Sequence, residues 1–384
     1  MKKIYLDSAA TTLPDERVVT EMMPYFTEKY GNASSIHGFG KPAKVALEDA
    51  RDILAEFMSA KPKEIFFTSG GTESNNFALK GISFPHLGSD KNHIITSSIE
   101  HMAVLETMAY LRDRFGFDVT FIQPEIDGSI SPDKINEAIT DKTFLISIMH
   151  SNNETGKIND ISSISEIASG KGIYTHTDSI QSFGKIKKLN VKSLGVDTAT
   201  LSAHKIYGPK GISALYIKEG TKLDKFIHGG SQERDMRGGT ENIPAVVGLR
   251  KAVEILNERM DQDLLHYNNL KTHLVARLSN ELDEKIIFNS DSIDALPNIV
   301  NFSLNPELTS LDGEELLIKL DLKGIAVSGG SACTSGTLKP SHVITALGRS
   351  EKTALLTVRV SFSRYNILPE IDYFVDTLKE ILVF

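Results

Sequence analysis

Among its 384 residues the chain has a single cysteine, Cys333. One thiol excludes an internal disulfide and every zinc site built on several thiolates, and no resident metal is expected. Long apolar runs are missing too. Nowhere do about 18 apolar residues follow one another, so no membrane span is expected. The opening MKKIYLDSAATT lacks the apolar stretch of a secretory signal. With neither export signal nor disulfides, the cytoplasm is the expected compartment. There is no basic excess: 42 Lys and Arg stand against 50 Asp and Glu, a formal charge of −8. A general nucleic-acid binder would show a basic face, so no direct nucleic-acid contact is expected, although a local basic pocket for an anion is compatible with this balance. The Walker pattern GxxxxGK[ST] is absent, and so is GxGxxG after a first strand. Internal repeats and low-complexity linkers are lacking as well.

What is present reads as an α/β protein. The length suggests two or three domains at about 150 residues each. Lys41 to Ser59 places Ala46, Ala50, Ile53, Leu54, Phe57 and Met58 on one helical stripe. Strand-like runs follow at residues 64–68, 93–96, 118–123, 143–150, 173–178, 197–202 and 213–217. Helix-like stretches at 101–114, 131–139 and 160–168 separate several of them. Such alternation predicts a mostly parallel sheet covered on both faces, with ligands beyond the carboxyl ends of the strands. A long helical pattern runs from about Asn242 to Ala276. Beyond it, 297–304 and 324–328 read as strands and 370–382 as a helix. They predict a second, smaller α+β domain that takes in the N-terminal arm.

Three constellations are equipped for chemistry. Asp178 ends one strand-like run, and Ser202-Ala203-His204-Lys205 ends another. A lysine amine condenses with carbonyls, and an aspartate facing a pyridine nitrogen keeps that ring an electron sink; together they suit pyridoxal phosphate. Read alone, the pair fits a buried ion pair with a capping serine somewhat better. Thr68-Ser69-Gly70-Gly71-Thr72-Glu73-Ser74 lies between strand and helix, where glycines and free N–H groups hold phosphate; a plain helix cap is the alternative. Ser328-Gly-Gly-Ser-Ala-Cys-Thr-Ser-Gly336 is a small-residue loop around the only thiol, either a nucleophile or an incidental surface cysteine. His101 stands where an imidazole could stack on a cofactor ring or start a helix; His150 reads as structural. Asn153 could donate to a ring oxygen. Arg359 could grip a carboxylate or form a surface ion pair. The glycine-rich run 228–240 is a binding loop or a linker.

In order and spacing these segments closely resemble the NifS/IscS-type cysteine desulfurases, within the class V aminotransferases. The resemblance runs almost from end to end: YLDSAATT, GNASSIHGFG at 31–40, FTSGGTESNN at 67–76, EH at 100–101, SNNETG at 151–156, HTDSIQS at 176–182, SAHKIYGPKG at 202–211, HGGSQERDMRGGTEN and SGGSACTSG. It implies the pyridoxal phosphate-dependent transferase fold type I, aspartate-aminotransferase-like. Residues 14–258 would form the large cofactor-binding domain, and residues 1–13 with 259–384 the small domain carrying the Cys333 loop.

It also implies roles. Lys205 would bind the cofactor covalently and take the substrate's α-proton, with Asp178 on the pyridine nitrogen and His101 stacked on the ring. Asn153 and Gln181 would contact the ring hydroxyl oxygen. Gly71, Thr72, Ser202 and His204 would hold the phosphate, and Thr240 would reach a phosphate across a homodimer. Arg359 would bind the carboxylate of L-cysteine, with Asn153 as a second substrate-binding residue. Cys333 would attack the substrate sulfur, keep it as a persulfide while L-alanine leaves, and pass it to an acceptor protein. The SACTSG loop resembles the long-loop subgroup, with departures at Ser179-Ile180 and Gly330. The chain stops at Phe384, where IscS-like members extend to dock an iron–sulfur scaffold, so that scaffold and a tRNA- or cofactor-thiolation enzyme are both expected acceptors. Selenocysteine lyase, a kynureninase-like hydrolase and a class V aminotransferase would share Asp178 and Lys205 but not Cys333. A sulfur carrier without turnover is the non-enzymatic alternative.

Overall fold

Short runs rich in Ile, Phe and Thr, closed by glycine or polar turns, form the strands of the central sheet. The computed structural model describes residues 3–187, 189–290, 294–329 and 339–382; Cys333 and the rest of 330–338 lie outside them. Twelve strands are described: β1 (Ile4–Tyr5), β2 (Ile65–Thr68), β3 (His93–Ser97), β4 (Asp118–Ile122), β5 (Thr143–Ser147), β6 (Tyr174–Asp178), β7 (Thr198–Ser202), β8 (Ser213–Ile217), β9 (Ile286–Phe288), β10 (Ile299–Leu304), β11 (Ile325–Ala326) and β12 (Thr357–Ser361).

Seven of these form one sheet in the order β2-β8-β7-β6-β5-β3-β4. Only β8 runs against its neighbours, antiparallel to both β2 and β7. Successive side chains leave opposite faces of a strand. Ile94 and Leu145 therefore join one apolar core, while Ile95 and Ile146 join another. The helices Gly71–Ser83 and Met102–Phe115 pack on the first face through Leu79, Ile82, Val104 and Met108. The helix Gly40–Met58 packs on the second through Ala46, Ala50 and Leu54. The sheet is thus buried on both sides, which explains why its strands are continuous apolar runs rather than alternating ones.

The helix Ile243–Leu282 spans 40 residues, longer than the sequence pattern indicated. Val246, Val247 and Leu256 serve the core of the large sheet; Leu270, Leu274 and Leu278 serve a separate core. That second core is completed by Phe302, Val358, Phe362 and Phe374, around the antiparallel sheet β12-β10-β9. The N-terminal arm joins it: β1 pairs in parallel with β11, and Asp7 bridges to Ser361. The expected strand at 297–304 begins at Ile299, and the one at 324–328 is only Ile325–Ala326 plus a bridge from Ser328 to Arg359. No helix among the described residues is long and apolar enough to cross a membrane.

Candidate active site

Parallel strands that end together leave a crevice beyond their carboxyl ends. Here β6 ends at Asp178, and β7 ends at Ser202 just before the turn Ala203–Lys205. A cavity of about 400 Å³ opens at this point. Gly71, Thr72, His101, Asn153, Asp178, Gln181, His204, Lys205 and Arg359 all line it, together with Ala9, Ala10, Met149, Ser151 and Ile180. Ser202 is buried behind it and Thr240 is exposed; neither lines it. Cys333 lies outside the described residues.

Lys205 Nζ donates to the carbonyls of Ala9 and Ala10 at 2.5 and 2.6 Å. Burial holds its ammonium down to about 8; Arg359 adds to this, while Asp7 and Asp178 oppose it. An amine close to neutrality is one that can act as nucleophile or base. Gln181 Nε2 donates to the same Ala9 carbonyl at 2.9 Å.

Asp178 is held from two sides. Asn75 Nδ2 donates to Oδ2 at 2.7 Å, and the Ile180 amide to Oδ1 at 3.0 Å. Asn75 Oδ1 in turn meets His176 Nε2 at 3.1 Å, and His176 Nδ1 meets Thr198 Oγ1 at 2.9 Å. Burial keeps the His176 imidazole neutral, at about 3. This polar chain fixes the carboxylate's rotamer without adding a second charge. Neither Asn75 nor His176 was singled out from the sequence.

His101 starts a helix and also faces the cavity. Its Nδ1 accepts from the Ala103 amide at 3.1 Å, capping the helix Met102–Phe115, and the ring lines the cavity. Burial lowers its pKa. With Nδ1 accepting, the neutral ring carries its proton on Nε2. The preceding Glu100 is wholly buried: Oε1 accepts from Ser97 Oγ at 2.6 Å and from the Met149 amide at 3.0 Å, while Oε2 has no partner among the described residues. Burial pushes this carboxyl up to about 8, and Asp178 adds to the rise.

Arg359 projects from β12. Its Nη1 donates to the Asn153 carbonyl at 2.9 Å, and Nη2 donates to Asp7 Oδ1 and Ser328 Oγ, each at 2.9 Å. Asp7 is another residue the sequence reading passed over. His150, expected to be structural, is buried against Ser182 Oγ at 3.0 Å, with burial lowering it to about 4. The 228–240 run is tied to the helices Gly40–Met58 and Gly71–Ser83 by the ion pairs Arg51–Glu233 and Glu73–Arg237.

The donor set fits a ligand with three parts. A reactive carbonyl would meet Lys205, and a basic ring nitrogen would meet Asp178. An anionic end would meet the N-terminus of the helix Gly71–Ser83 beside Thr72 and His204. The buried Ser151 Oγ and Asn153 Oδ1 have no partner among the described residues and leave further polar capacity at the wall. Among the described residues no group of His, Cys, Asp and Glu could hold a metal ion.

Comparison with known proteins identifies the family. The family model "Aminotransferase class-V" matches residues 4–374. "Cysteine desulfurase IscS" of Dictyoglomus turgidum is 42% identical over 381 residues, 99% of this chain and 95% of that protein. "Cysteine desulfurase IscS" of Methanosarcina thermophila is 44% identical, covering 99% of this chain and 92% of its own. Among solved structures, a "NifS-like protein" superposes with a TM-score of 0.92 at 37% identity over all of both chains. "SspA in complex with cysteine" does so with a TM-score of 0.82 at 38% identity, over 95% of this chain and all of that one.

Proposed function

The chain belongs to the class-V aminotransferase family and is a pyridoxal phosphate-dependent cysteine desulfurase, and from that premise we propose how its residues divide the work. The reaction takes sulfur from L-cysteine and leaves L-alanine. The observation that carries the residue assignment is the convergence of Lys205, Asp178 and Arg359 on one cavity.

Pyridoxal phosphate, when bound, supplies an electron sink for the substrate's α-carbon. Lys205 is the residue that would hold it covalently, and Asp178 would keep its ring nitrogen protonated. Gly71 and Thr72 would hold its phosphate at the helix N-terminus, with His204 beside them. Ser202 and Thr240 are assigned to that phosphate too, Thr240 from the partner subunit. His101 would stack on the ring, and Asn153 and Gln181 would serve its hydroxyl oxygen.

Arg359 binds the substrate carboxylate, and its contact to Asn153 sets the orientation. The Lys205 amine, held near neutrality, takes the proton from the α-carbon. Cys333 attacks the substrate sulfur as a thiolate: the new S–S bond forms as the substrate's Cβ–S bond breaks, the carbon skeleton takes that electron pair and is protonated toward alanine, and the sulfur stays on Cys333 as a persulfide. His101, neutral and protonated on Nε2, moves protons on the two thiols.

We assign residues 14–258 to a large domain, and residues 1–13 with 259–384 to a small one. The two separate apolar cores support this division, with the boundary inside one continuous helix. A homodimer is supported by exposed apolar side chains near the N-terminus: Met23, Phe26, Tyr30, Ile36 and Phe39. The acceptor is a protein of iron–sulfur assembly or of tRNA or cofactor thiolation, and the setting is the cytoplasm.

The test uses purified protein, pyridoxal phosphate and L-cysteine. Alanine release with one added sulfur on Cys333, mapped by peptide mass spectrometry, is the expected result. Cys333→Ala should keep the cofactor and lose the persulfide. Native-rate desulfuration by that variant without added thiol would remove Cys333 from the mechanism.

A further inference from the structure

Glu73 sits in the first turn of the helix Gly71–Ser83, two residues beyond Gly71. Arg237 grips it as a fork: Nε to Oε1 at 2.9 Å and Nη2 to Oε2 at 3.2 Å. The Ser69 amide donates to Oε2 at 3.0 Å, and the Ser69 hydroxyl donates there too. Both charged side chains are largely shielded, at 10% and 19% exposure. Burial works to raise the Glu73 carboxyl, but Arg237 and Ser69 outweigh it and hold it below its ordinary value. Glu73 is therefore a carboxylate at neutral pH.

A carboxylate in a first helical turn normally profits from the positive helix end. This helix end is the one that faces the cavity. An anion bound at Gly71 and Thr72 would compete with Glu73 for the same field and be repelled by it.

Arg237 is delivered to this position by a fixed loop. Glu233, four residues earlier, takes both nitrogens of Arg51 at 2.8 and 3.0 Å and the Phe67 amide of β2 at 2.8 Å. Glu233, Arg234 and Asp235 adopt φ of 45°, 56° and 65°. Three consecutive non-glycine residues in the left-handed region are strained, and such strain persists only where surrounding contacts impose it. The buried Arg51–Glu233 pair, 2% exposed on each side, imposes it here.

We propose that Arg237 acts as an electrostatic shield for the phosphate site: its guanidinium cancels the Glu73 carboxylate, so that the first helical turn attracts a phosphate dianion. The inference rests on the reading that Gly71 and Thr72 hold the cofactor's phosphate. Arg237 touches Glu73 and acts through it.

The experiment resolves the full-length enzyme from its cofactor and titrates pyridoxal phosphate back, following absorbance. Arg237→Met should weaken binding about tenfold, Glu73→Gln should leave it within about twofold, and the double variant should recover to within about threefold of wild type. Pyridoxal, which lacks the phosphate, should bind all four proteins alike. Should Arg237→Met fold poorly, Arg237→Lys keeps the charge without the fork and should bind within about threefold of wild type. Weakening by Glu73→Gln equal to that by Arg237→Met would mean a mechanical tether and would overturn the shield, as would a double variant that fails to recover or an equal effect on pyridoxal. Thr72→Val reports separately on the underlying assignment. A loss there with no loss in Arg237→Met sinks the shield alone; no loss in Thr72→Val places the phosphate elsewhere and sinks both.

Discussion

Asp7 Oδ1 accepts from Arg359 Nη2 at 2.9 Å, across 352 residues of sequence. Ser328 Oγ donates to the same oxygen at 2.8 Å. The guanidinium is thus built into a junction between the N-terminal arm, β12 and the root of the segment leading to Cys333. Lysine has the charge but not the planar fork, and it can satisfy only part of this junction. Arg359→Lys should raise KM for L-cysteine about tenfold with a smaller change in kcat, because a two-point carboxylate contact becomes a single one. Initial rates of alanine formation measure it. An unchanged KM would take Arg359 out of substrate contact.

Among the described residues Lys205 is the only lysine lining the cavity. Lys205→Ala should therefore lose the visible absorption band of the bound cofactor and all alanine production. A retained band would show that another amine forms the bond.

Glu100 gives a stability test with a defined sign. Its native pKa is raised to about 8 from 4.5. Between those values the native state holds a proton that the unfolded state releases, so stability falls as pH rises. The slope from this one group reaches about 1.4 kcal/mol per pH unit. Glu100→Gln keeps an acceptor for Ser97 and Met149 and has no charge to bury. Urea unfolding at pH 6 and pH 8 should show a smaller loss for the variant than for wild type. Equal losses would mean that Glu100 is ionised in the native state.

Lys185 has the opposite sign. It is buried and its Nζ has no hydrogen-bond partner among the described residues; it lies 5.0 Å from the Tyr207 ring centre and 5.2 Å from that of Tyr267. Burial, helped by Arg364 and Lys205 and opposed by Asp263, lowers it from 10.5 to about 7. Across that range the unfolded chain binds the extra proton, so stability rises with pH. Lys185→Met, of similar length and uncharged, should stabilise the protein at pH 7 and flatten the rise toward pH 9. A variant less stable at pH 7 would mean that the cation is well accommodated.

The central sheet was legible because both of its faces are covered, so that segments such as IFFT, TFLIS and SALYI are unbroken apolar runs. The smaller sheet was harder. In β12, TVRVS, an arginine interrupts the run, and β9 is only three residues long. The helix Gly313–Leu322 went unread, although GEELLIKLDL has both a cap and an apolar stripe. At the site, Asp178, Lys205 and His101 could be read locally because each stands where a strand ends or a helix begins. Asn75, His176 and Asp7 could not, since each acts on a group more than 100 residues away. The available signal was a polar side chain inside an otherwise apolar element, as His176 is in β6.

The pairing of β1 with β11 carries a consequence for the order of events during synthesis. Residues 4–7 are translated first, but their partners are 324–326 and 361. The Ala9 and Ala10 carbonyls that restrain Lys205 follow directly on that strand. A ribosome-bound chain can complete its large sheet while the arm still has nothing to dock against. The cavity wall closes only once β12 has emerged, so catalytic competence has to wait for that strand.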